Sequence, residues 1–244
     1  MPEPDEALVQ ALLWRYGDES AARQPLKLTV TGLLREIQRP DEREKLIERP
    51  AFLAESPGGL RGTERGTAYH RAMQCLELPP LRGLRGRALT AEIAAQLDGL
   101  RAANRISALQ REAVRPYELA RFFESETGAR LLRAEEVRRE WPFNAMMRIS
   151  EALEPQEAGP YAGEEIMVQG SLDCCFLEDG RWVLLDYKTD RSDDAEALTR
   201  RYRNQLRLYA LALERITGVE VGEIRLCLLR GGETLEIPRM GVEP

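Results

Sequence analysis

Asp179-Gly180, set between two hydrophobic runs, constrains this chain more than any other pair of residues. An Asp-Gly step between such runs is a strong signal for a two-residue type I′ hairpin turn, whose central positions both need positive φ. With that turn the register follows by counting: Glu178 meets Arg181, Leu177 meets Trp182 and Phe176 meets Val183. Continued pairing brings Asp173 opposite Asp186, and the period of two puts Lys188 on the face of Asp186, beside Leu184 and Cys175. Opposed Cβ atoms lie about 4.5–5.5 Å apart, and like charges there repel. A half-buried pair of carboxylates therefore shares a proton or holds a cation. Oxygen ligands favour magnesium or manganese. A salt bridge from Lys188 to one aspartate is the plainer alternative.

The remaining periodicities frame this hairpin. Residues 6–15 read as a short amphipathic helix, and Leu26–Val30 as extended, with Thr31 capping a helix through Glu36. Residues 38–62 are polar and broken by prolines, as in a connection. Helical spacing runs from 64 to 132: one helix carries Ala68, Tyr69, Ala72, Met73 and Leu76, a second spans about 89–110, and a third follows Pro116 with Phe122 and Phe123. Strand signals occupy 137–143, 166–177 and 182–189, with an acidic loop at 151–165. A helix over 194–217 ends at Gly218, and Val221–Leu229 with Thr234–Ile237 forms a last hairpin. The expectation is an α/β (mixed α+β) layout, a central mixed sheet flanked by helices. Residues 1–60 would be an extension that wraps or tethers the core, and 61–244 the domain proper.

Composition narrows the function classes. The 244 residues carry a net charge of -6, which by itself does not point to nucleic acid. The basic residues cluster, however, at Arg82, Arg85 and Arg87 and at Arg200, Arg201, Arg203 and Arg207, as solvated helix faces or local phosphate-binding patches. Lysine occurs only at 27, 45 and 188, so Lys188 stands where arginine is the rule and a compact ammonium is wanted. Cys75, Cys174, Cys175 and Cys227 form no CxxC pair, which argues against zinc or an iron–sulfur cluster and for small buried hydrophobes. No apolar run is long enough to span a bilayer, and the N-terminus has no signal-peptide core, so a cytoplasmic protein is expected. No GxxxxGK[ST] loop is present, hence no ATP site.

Gly170-Ser171-Leu172-Asp173 followed by Asp186-Tyr187-Lys188-Thr189-Asp190 resembles the motif pair of the PD-(D/E)XK nuclease superfamily. Three more segments are similar to those of its RecB-like branch: Gly66-Thr67-Ala68-Tyr69-His70, Glu140-Trp141-Pro142-Phe143 and Gln205-Leu206-Arg207-Leu208-Tyr209. Within the branch the resemblance is to the C-terminal nuclease domain of AddA, a component of AddAB helicase–nucleases. Leu26–Leu34 resembles the segment that precedes that domain.

The resemblance implies a restriction-endonuclease-like core and metal-dependent DNA exonuclease chemistry in recombinational double-strand-break repair. His70, Asp173, Asp186 and the Tyr187 carbonyl would hold the metal, magnesium or manganese. Lys188 would orient the attacking water or stabilise charge on the phosphate, with Asp173, Asp186, Glu140 and Gln205 completing the catalytic set. Gln205, Tyr209 and Arg201 would contact DNA. Tyr69 and Trp141 are expected in the core rather than as stacking platforms. The implied partners are a single-stranded DNA end, a helicase portion outside this chain and an AddB-like subunit, with no membrane. A non-catalytic DNA-binding module of the same fold and a stand-alone nuclease are the alternatives.

Overall fold

The computed structural model describes residues 27–37, 62–154, 165–189 and 194–239, together with 156 and 163. The helix expected at 6–15 and most of the connection at 38–62 lie outside the described residues. Strand β1 (Lys27–Thr29) leads into helix α1 (Val30–Ile37). The Thr29 hydroxyl accepts the Gly32 amide at 3.0 Å, so Thr29 caps this helix in place of Thr31. Helices α2 (Gly62–Cys75), α3 (Gly86–Ala102), α4 (Ala108–Ala113), α5 (Pro116–Glu124) and α6 (Glu126–Arg133) follow. The second expected helix is thus two. Asn104 at φ 55 interrupts it, and a Ser107–Gln110 capping box restarts it. The third is also two, because Ser125 is extended and caps α6 by accepting from the Gly128 amide.

Strands β2 (Val137–Arg148), β3 (Glu165–Glu178) and β4 (Arg181–Lys188) come next, then helix α7 (Ala195–Thr217) and strands β5 (Val221–Leu228) and β6 (Glu233–Glu236). Asp179 and Gly180 have φ 50 and 74, as a type I′ turn requires, and the register runs as counted from Glu178–Arg181 to Cys174–Leu185. Strand β2 runs five residues past its expected end. It pairs with β3 from Val137–Phe176 to Arg148–Glu165.

The six-stranded sheet has the order β1-β3-β4-β5-β6, with β2 along the other edge of β3. β1–β3 and β4–β5 are parallel, α7 being the crossover between β4 and β5, so the sheet is mixed. One face packs on α1 and α7 through Val30, Leu33, Leu184, Leu206 and Leu213; the other packs on α2–α6 through Tyr69, Leu89, Phe122, Phe176 and Leu185. All four cysteines are free and buried in these cores. No helix among the described residues is long and apolar enough to cross a membrane.

Candidate active site

The site forms where β3 changes partner. Its edge facing away from β2 pairs with β1 at Met167–Gln169 and with β4 at Cys174–Glu178, leaving 170–173 between the two. The expected Asp173–Asp186 pair is not formed as a ladder pair, because the strands separate a step earlier. The Asp173 carboxylate instead reaches across the seam and accepts the Tyr187 amide at 2.8 Å. Asp186 stays close enough that the charge of Asp173 acts on it. Both strands change face here. On β3, Leu172 belongs to the α1–α7 core and Cys174 to the opposite one. On β2, Phe143 lies on the former side and Val137 on the latter. Glu140 sits at the change with φ 48, a left-handed conformation costing a non-glycine residue about 1–3 kcal/mol.

That bend points Glu140 and Asp173 at His70 on α2. His70 Nδ1 lies 3.3 Å from Asp173 Oδ1 and 3.7 Å from Glu140 Oε1. Its Nε2 lies 2.8 Å from the Tyr187 carbonyl, which fixes the ring and turns Nδ1 to the carboxylates. His70, Glu140 and Asp173 each bring a ligand atom within 4.8 Å of the others. Arg139, beside Glu140, donates to the Met73 carbonyl at 3.0 Å and the Leu76 carbonyl at 2.5 Å. It thereby clasps the C-terminal end of α2, the helix that carries His70.

Electrostatics mark the same place. Burial disfavours the His70 imidazolium, but hydrogen bonds to Asp173 and Glu140 and the charges of Asp173 and Asp186 outweigh it and raise its pKa to about 10. Asp186 is 2% exposed, and burial, then the charge of Asp173, push its pKa up against the pull of Lys188. Burial works against the Lys188 ammonium, yet Asp186 and Asp173 raise its pKa, so it stays charged. Lys188 Nζ is 2.5 Å from Asp186 Oδ2, so the buried carboxylate is held in an ion pair with the ammonium. The two carboxylates and the imidazole of Glu140, Asp173 and His70 are a donor set that fits a divalent cation of the magnesium or manganese kind. Asp186 stands outside that group but near enough to act on it by its charge.

Helix α7 closes the site. Lys188 Nζ stands 4.8 Å from the centre of the Tyr202 ring, with the Arg201 guanidinium 5.1 Å from the same ring. Arg201 itself is exposed. Gln205 is half-buried and hydrogen-bonds Tyr209, whose ring packs edge-on against Phe143 at 5.9 Å. The 9% exposed Tyr209 is thus within the core under the site. Tyr69 is fully buried, and Trp141 packs on Trp182 at 6.3 Å. Sequence reasoning gave Tyr202 no role, and it placed Glu140 in the catalytic set but not among the metal ligands. Tyr202 shares the Gln205 side of α7, which is the signal that was available; nothing local announces a positive φ at a glutamate.

The model of the PD-(D/E)XK nuclease superfamily matches residues 41–237, a span that contains every one of these site residues. The chain belongs to that superfamily. As a member of the PD-(D/E)XK nucleases it is 35% identical over 239 residues to the A subunit of the ATP-dependent helicase/nuclease of Clostridium novyi, covering 93% of this chain and 19% of the relative. The proteins of the same name from Acetivibrio thermocellus (33% over 241 residues, 94% and 18%) and Clostridium botulinum (32% over 230 residues, 91% and 17%) are also similar. The chain thus spans about a fifth of the length of the relatives it matches. The mixed sheet flanked by helices is the restriction-endonuclease-like fold of this superfamily.

Proposed function

We propose that this chain is a divalent-metal-dependent DNA exonuclease domain, the nuclease portion of a helicase–nuclease that acts in recombinational break repair. Its substrate would be a single-stranded end delivered by a helicase portion, alongside an AddB-like subunit. The observation carrying this reading is the convergence of His70, Glu140 and Asp173, next to a buried Asp186 whose carboxylate is ion-paired with a charged, enclosed Lys188.

His70 through Nδ1, Asp173 and Asp186 would hold magnesium or manganese, with Glu140 beside them. The Tyr187 carbonyl would be a further ligand, and it lies 2.8 Å from His70 Nε2, where it orients the imidazole. A bound divalent ion lowers the pKa of a water and polarises the scissile phosphate. Lys188, fixed between Asp186 and the Tyr202 ring, presents an ammonium to the oxygens on which charge develops, a contribution worth about 10²–10³ in rate for such a group. Gln205 and Arg201 would contact the strand, with Tyr209 supporting them from the core.

The test is cleavage of end-labelled single-stranded DNA with magnesium or manganese by the purified chain. Activity lost in Asp186→Ala and Lys188→Ala is the expected result. Protein that binds DNA but cuts it with neither metal would overturn the enzyme reading and leave a DNA-binding module.

A further inference from the structure

The gap in β3 pairing beside Asp173 continues as a cleft of about 420 Å³ along the same strand. Its walls come from the end of β1, the start of α1, β2 and β3, with Tyr209 beneath. Asn144 and Gln169 are register partners on adjacent strands, and both point away from the core face that holds Phe143 and Val168. Ser171 lies two residues from Gln169 and two from Asp173, so one row of side chains leads from the cleft to the carboxylates. Among the described residues the side chains of Thr31, Asn144, Gln169 and Ser171 make no hydrogen bond, although they line a concave site. The lining carries no charged side chain, and Pro142 and Gly170 complete it.

A cleft without charge but rich in unspent amide and hydroxyl groups suits a flat, uncharged, hydrogen-bonding ligand. Asn and Gln amides, with paired donor and acceptor, match the edges of nucleobases. A base enters such a concavity only when it is unstacked and unpaired. We propose that this cleft is a subsite for one unpaired nucleobase of the strand whose phosphate lies at the carboxylates, a reading that rests on the nuclease function above. It makes the preference for single strands a property of this domain, independent of how the strand is delivered.

The test is fluorescence anisotropy in calcium with two labelled probes of equal length, an oligothymidylate and an oligonucleotide of abasic residues. The whole chain should bind the oligothymidylate more tightly by about tenfold, the discrimination expected of one well-placed amide–base contact. Asn144→Leu/Gln169→Leu should lose most of that discrimination, with melting temperature and manganese affinity unchanged. Ser171→Ala, a smaller change, should lose some of it. Equal binding of both probes by the wild type, or full discrimination retained in the double variant, overturns the subsite. The two readings fail separately. A chain that cuts both probes and binds them alike loses the subsite and keeps the nuclease. A chain that discriminates between them but cuts neither keeps the subsite and loses the nuclease.

Discussion

Manganese should bind this chain more tightly by about tenfold for each pH unit between about 6.5 and 8.5. The reasoning starts at His70, whose pKa in the metal-free protein is raised to about 10 by its carboxylate neighbours. Across this range the ring is an imidazolium with Nδ1 directed at Asp173 and Glu140, where an ion would sit. Binding a cation must therefore expel one proton, and each pH unit below the raised pKa weakens binding by about 1.36 kcal/mol. Asp186, pushed upward by burial and by Asp173, adds a contribution of the same sign at the acidic end. The metal-free fold behaves oppositely. Because the folded pKa of His70 exceeds its ordinary value of 6.5, the stabilisation it gives is complete below 6.5 and is lost as pH rises through about 10. Isothermal titration calorimetry in two buffers of different ionisation enthalpy should show about one proton released per ion. His70 is the only histidine, so its imidazole resonance is assigned without ambiguity. A manganese affinity that does not change over this range, or an imidazole in the metal-free protein that titrates near 6.5, would refute the reasoning.

Other outcomes follow from neighbouring contacts. Arg139→Met removes two charge-assisted bonds to the end of α2, so urea denaturation should show a loss of about 2–4 kcal/mol, and manganese affinity should fall with it. Arg130 ties Glu178 on β3 to Glu223 on β5, and its hydrogen bonds hold the Glu223 carboxyl down at about 2. The stability from that shift is present above the ordinary 4.5 of Glu223 and is lost as pH falls through about 2, so Arg130→Gln should flatten acid unfolding over that interval. A methyl group at Gly128 would collide with the Phe122 backbone where α6 folds onto α5, so Gly128→Ala should cost more than about 3 kcal/mol, read as a fall in melting temperature.

Local chemistry written in the chain was legible wherever one segment suffices to specify it. Asp179-Gly180 set the turn, and the turn set the register as far as Cys174–Leu185. Gly218 with φ 70 ended α7, and the apolar runs on either side of the turn located β3 and β4. The breaks at Asn104 and Ser125 escaped because helical periodicity continues across them, while a positive φ or a serine cap acts on a single residue. The step that counting carried too far was the last, Asp173 against Asp186. Register arithmetic assumes that strands stay paired, and here they separate.

The amino-acid order alone determined which residue types are available for chemistry and that Asp173, Asp186 and Lys188 arrive on one hairpin. Only the tertiary structure decided that β2 bends at Glu140, that α2 is clasped by Arg139 so that His70 meets the carboxylates, and that β3 opens between β1 and β4. The reason is physical: propensity and periodicity report what a residue does to its own segment, whereas the approach of His70 to Tyr187, 117 positions away, is set by how two cores pack on opposite faces of one sheet.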